Sequence, residues 1–113
     1  YEDNGNHYTM NSAGQNLFWD GNKPGTKFFG RLMSDPHMQN LFKQKWESFK
    51  QDNMDELKEY VEEYADIIAL ALTKDHDRWG QRNGSRDPSL NFKAFSKWMN
   101  ARIDYIDKLV STY

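Results

Sequence analysis

Apolar side chains recur every three or four residues through three stretches of this sequence, 36–50, 54–79 and 89–110. A chain can gather that spacing onto one face only as a helix. In the first stretch the repeat is Met38, Leu41, Phe42, Trp46 and Phe49. In the second it is Leu57, Val61, Tyr64, Ile68, Ala71, Leu72 and Trp79, and the middle of that stretch is apolar almost all round. The third carries Phe92, Phe95, Trp98, Met99, Ile103, Ile106, Leu109 and Val110. The expected fold is therefore all-α: an antiparallel bundle of three main helices at about 36–50, 54–79 and 89–110, with a short helix near 26–33. The helix at 54–79 takes the central place, packed on more than one side.

Local signals set the expected ends. Ser34-Asp35-Pro36 offers a capping side chain and then proline at the first helical position, where a missing N–H costs nothing. Asp52 or Asn53 offers a second cap, followed by Asp55 and Glu56 where the macrodipole favours acids. Gly80 stops the long stretch, and residues 81–88 read as a loop. Residues 1–25 differ in kind. They hold Gly5, Gly14, Gly21, Pro24 and Gly25 with five Asn, which tolerate left-handed backbone angles, so we expect an irregular arm ahead of a helical subdomain at 26–113.

Size and composition narrow the function classes. A chain of 113 residues makes one domain or one segment of a domain. Seventeen aromatics supply core material, yet 28% of residues are charged and much of the surface must face water. No apolar run approaches the roughly 20 residues that a membrane helix needs. The net charge of −2, with acids and bases intermixed, gives no basic face for nucleic acid. The lack of cysteine excludes disulfides, thiol chemistry and cysteine-ligated zinc. The first residue is Tyr1 and no signal peptide precedes it, so the expectation is a piece of a larger protein.

No set of residues assembles into an active site. Glu59–Glu63 and Glu62–Asp66 each share a helix face, but no Glu-x-x-His pair accompanies them, as a bundle di-metal site would need. We read them as a solvated or salt-bridged face. Asp75-His76-Asp77 resembles a ligand triplet, but successive helical side chains diverge by about 100° and cannot converge on one ion. His7 and His37 stand alone. Asn83-Gly84-Ser85 matches the glycosylation pattern, a weak signal by itself. Two charges break pattern: Asp75 lies on the stripe between Leu72 and Trp79, and Arg102 lies between Met99 and Ile106. A buried charge needs a partner. The expectation is a structural charge pair of Asp75 and Arg102, directly or through Arg78; the alternative is that each reaches the rim of its stripe.

An ordered series of elements carries a resemblance. It runs from an aromatic-rich turn and Leu32 through Ser34-Asp35-Pro36, a helix with Lys45-Trp46, and a long helix closing on Arg78-Trp79-Gly80. It ends in the run from Trp98 through Asn100, Ala101, Arg102 and Asp104 to Asp107. Over about residues 26–110 the chain resembles the C-terminal helical part of the CotH family, kinase-like proteins named after a spore-coat protein. The resemblance implies an atypical protein-kinase-like fold, ATP and a divalent metal, protein substrates, and export to the outside of a bacterial cell. The family's metal- and nucleotide-binding acids, in a W-D-x-D type motif, would lie just ahead of this chain. Phe18-Trp19-Asp20-Gly21-Asn22 is a superficial echo, with Asn22 in place of the second acid. No catalytic, cofactor or metal residue is carried over.

The implied role is a non-catalytic helical scaffold for a catalytic half that the chain lacks, so that half is its first expected partner. An exposed aromatic patch of Tyr8, Phe18, Trp19, Phe28 and Phe29 would meet it, or would pair two copies. The alternative is a free-standing helical protein-interaction module of an extracytoplasmic protein, with its stripes fully buried.

Overall fold

The computed structural model describes residues 24–80 and 85–113, with side chains described from Lys27 onward. Three helices account for nearly all of them: α1 (Pro24–Leu32), α2 (Pro36–Trp79) and α3 (Pro88–Ser111). Among the described residues there is no strand, as the helical spacing requires. Among the described residues, no helix is long and apolar enough to cross a membrane.

Each of the chain's three prolines is the first residue of a helix. Its fixed φ suits the opening turn, and its missing N–H would have had no intrahelical partner there. At two of these starts the preceding aspartate completes the cap. Asp35 Oδ1 accepts the His37 N–H at 2.9 Å, and Asp87 Oδ1 accepts the Ser89 N–H at 2.9 Å. Asp35, rather than Ser34, is thus the cap of α2. Ser34 instead closes α1, its hydroxyl donating to the Arg31 carbonyl at 2.6 Å. The Gln39 side-chain amide donates back to the Met33 carbonyl at 2.9 Å, tying the three-residue turn to the helix that follows it.

The separate helices expected at 36–50 and 54–79 are one. α2 runs unbroken for 44 residues through Asp52 and Asn53, so the cap expected at that point does not exist. Asp and Asn cost only about 0.7 kcal/mol each inside a helix, and no Gly or Pro lies between His37 and Trp79 to force a stop. Met54, just beyond, is buried and anchors the stretch. The helix ends where expected. Gly80 adopts a φ of 76°, open to glycine without steric cost, and its N–H donates to the His76 carbonyl at 2.8 Å.

The chain divides into two compact units. The first contains the described residues up to Phe49 together with Trp98–Tyr113; the second is Lys50–Lys97. In the first, the opening part of α2 and the closing part of α3 run antiparallel. The Phe42 ring meets Tyr113 edge-on at 6.3 Å, and the Trp46 indole N–H donates to Asp107 Oδ1 at 2.7 Å. Trp46 also stacks on Phe49 at 5.9 Å.

In the second unit, Val61, Ala65, Ile68 and Leu72 of α2 are half-buried, as are Phe92 and Phe95 of α3. The α3 stripe is covered throughout, from Phe92 to Val110. The α2 stripe is not: Leu57, Tyr64, Ala71 and Trp79 are exposed. The expectation that this helix is packed on more than one side is therefore unmet by the described residues.

Candidate functional site

The acidic face of α2 and the start of α3 border a groove in the second unit. Glu62, Ala65, Asp66 and Ala69 form one side; Asp87, Pro88, Ser89 and Phe92 form the other, around about 510 Å³. Its three carboxylates do not make a metal centre. Among the described residues, no three His, Cys, Asp or Glu side chains are placed to hold an ion. Glu59, Glu62, Glu63 and Asp66 are all exposed, in keeping with a solvated face. Asp87 is occupied as the cap of α3. Its hydrogen bonds from Ser89, side chain and then backbone, hold its carboxyl below the usual carboxylate range.

The Asp75-His76-Asp77 run also resolves into separate roles. Asp77 faces the residues ahead of α3 and takes Arg86 in a two-pronged clamp, Nε to Oδ1 at 2.6 Å and Nη2 to Oδ2 at 3.0 Å. The hydrogen bond from Arg86 is the main reason the Asp77 carboxyl lies below its ordinary range, and the same bond raises the guanidinium. Ser85, one residue before Arg86, is fixed by Asn91. Its N–H donates to Asn91 Oδ1 at 2.8 Å, and its carbonyl accepts Asn91 Nδ2 at 2.6 Å. Sequence reasoning missed this clamp, because nothing in the spacing says which arginine of a loop returns to a helix end.

Asp75 is half-buried on α2, and Arg102 is half-buried on α3. Burial pushes the Arg102 guanidinium below its ordinary value, and it lies 5.0 Å from the centre of the Tyr105 ring. Arg78 is exposed, its guanidinium 4.9 Å from the Trp79 ring centre, an arrangement worth about 0.5–1 kcal/mol at such a site.

The remaining chemistry is apolar and outward-facing. Of the expected aromatic patch, Phe28 and Phe29 are described; they meet edge-to-face at 5.5 Å and are 62% and 45% exposed. The other expected members, Tyr8, Phe18 and Trp19, lie outside the described residues, as do Asp20 and Asn22. A second apolar surface was not anticipated. On α2, Leu57, Tyr60, Tyr64, Ile67 and Ala71 all face outward, and the Tyr60 and Tyr64 rings stack at 5.7 Å. Its signal was present in the 3-4-3-4 spacing of these five positions.

What such an arrangement can do is dock: it offers flat apolar area with charges at the margin. No curated protein and no solved structure gives a significant match to this chain. The family model described as CotH kinase protein matches residues 2–106, beginning well ahead of the residues that carry the resemblance. With most of its length matched in this way, the chain belongs to the CotH kinase family.

Proposed function

We propose that this chain is a non-catalytic helical subdomain of an extracytoplasmic, kinase-like protein, and that it scaffolds a catalytic half in which ATP and a divalent cation bind. The observation that carries this reading is the exposure of Phe28 and Phe29 on α1 of a chain that belongs to a kinase family. Aromatic rings left in water at a helix surface are usual for a face that meets another body, and each is worth about 1.5–3 kcal/mol once covered. A free-standing interaction module would have its stripes buried, which the exposed rings disfavour.

Two measurements test the reading. Millimolar ATP with Mg²⁺ or Mn²⁺ should leave the melting temperature of the chain unchanged. A ligand at a hundred times its Kd would add about 2.7 kcal/mol, a shift of roughly ten degrees, and that result would rule out a non-catalytic piece. In the parent protein carrying its catalytic half, the double substitution Phe28→Ser, Phe29→Ser should lower kinase activity and melting temperature together. Unchanged values for both would remove the scaffolding role.

A further inference from the structure

The outward face of α1 is basic as well as aromatic. At 3.6 residues per turn, Lys27, Arg31 and Phe28 fall within about 100° of arc, and all three are exposed. Met33 continues the helical path, its N–H donating to the Phe29 carbonyl at 2.9 Å, and it is buried. It lies about 180° round from that face, and Phe29 stands nearer to it than to the cations. Whatever covers Phe28 therefore covers, or borders on, two positive charges.

A cation taken out of water into an interface is costly unless a carboxylate meets it. α1 supplies none. Its run from Pro24 to Leu32 holds no acid, and Asp35, the next along the chain, is engaged as the cap of α2. We infer that the catalytic half presents to this face an apolar recess for Phe28, rimmed by Asp or Glu on the side of Lys27 and Arg31. The inference rests on the scaffolding reading and adds the chemistry of the partner surface. Four residues separate the cations, so their carboxylates lie about 6 Å apart along the helix axis. Arg31 offers a planar fork that one of them can take with both oxygens. Two other occupants fit less well. Pairing α1 with α1 of a second copy brings cations to both sides and no acid to either. An anionic membrane surface draws on clusters of about four to eight cations, and α1 has Lys27 and Arg31 alone.

In the parent protein carrying its catalytic half, Lys27→Met with Arg31→Met should lower the melting temperature by about 3 °C or more. The partner's carboxylates would be left covered without their cations. A covering surface with no carboxylates gives the opposite sign. The same pair would then leave the melting temperature unchanged or raise it, and either result overturns the inference. Lys27→Arg with Arg31→Lys, which keeps both charges, should recover most of the loss. In the chain alone the methionine pair should shift the melting temperature less than half as much, since both side chains are exposed there. An equal shift would place the effect within the chain and would also overturn it. Phe28→Ser with Phe29→Ser separates this inference from the scaffolding role. A loss from the aromatic pair with none from the charge pair removes the acidic rim and leaves the scaffold; no loss from the aromatic pair removes both. Binding of the chain to phosphatidylglycerol vesicles, abolished by either pair, would assign the face to a membrane and overturn the inference.

Discussion

The indole N–H of Trp46 donates to Asp107 Oδ1 at 2.7 Å, joining residues 61 positions apart across α2 and α3. This is a charge-assisted bond in a partly buried setting, and it fixes how the opening part of α2 lies against the end of α3. Trp46→Phe keeps a ring to stack on Phe49 but removes the donor. We expect a loss of about 1–2 kcal/mol in chemical denaturation. Asp107→Asn, which retains an accepting oxygen, should cost less than Asp107→Ala. Equal losses for the two would mean that the bond contributes nothing.

The continuity of α2 gives a prediction with opposite signs for its two readings. If Asn53 capped a helix, Asn53→Ala would cost about 1 kcal/mol. As an exposed interior residue it should instead stabilise slightly, by up to about 0.7 kcal/mol. Asn53→Pro should cost about 3 kcal/mol or more. Thermal denaturation of the two variants decides the matter.

The Asp77–Arg86 clamp should appear as a shifted titration rather than as a large stability term, because both groups are exposed. The folded-state value of Asp77 is depressed, so what the clamp contributes is present above the unfolded value and is lost as pH falls through the folded one. Carboxyl NMR should find Asp77 titrating below the ordinary aspartate range. Arg86→Gln should return it to that range, and high salt should reduce the shift. An ordinary titration in the unsubstituted chain would show that the clamp is not formed.

Gly80→Ala should destabilise by about 1 kcal/mol. Among the described residues a Cβ there meets nothing within 4 Å, so the cost comes from the left-handed backbone angle. Gly80→Asn, which tolerates that angle better, should recover part of the loss. If alanine and asparagine melt alike, the strain argument is wrong.

The helices were legible because their signals agreed. Asp35 is followed by proline, a pair that suits a helix start, whereas the same pair at Asp87-Pro88 reads as part of the loop at 81–88 and in fact opens α3. Asp52 and Asn53 offered the same capping chemistry without a proline behind it, and a cap without a forced break cannot be told from an interior residue. The family was readable from the order of weak elements rather than from any one of them.

The second α2 face was obscured by its neighbour. Leu57, Val61, Tyr64, Ile68 and Ala71 read as one stripe, yet Val61 and Ile68 turn inward while Leu57, Tyr64 and Ala71 turn out. Hydropathy spacing gives the angle between two faces but not which of them the rest of the chain will cover. The clamp from Arg86 depended on the path of a loop, which spacing does not describe.

That clamp has a consequence for how such a chain can change over evolutionary time. Asp77 with Arg86, and Ser85 with Asn91, hold both ends of the stretch between α2 and α3. With its ends pinned, the length of that stretch is nearly free, since doubling a loop costs only about 0.6 kcal/mol in closure entropy. Insertions, tags and whole inserted modules should therefore be tolerated between Gly80 and Ser85. A single residue added between Met33 and Ser34 would instead separate the partners of two hydrogen bonds, Ser34 with Arg31 and Gln39 with Met33.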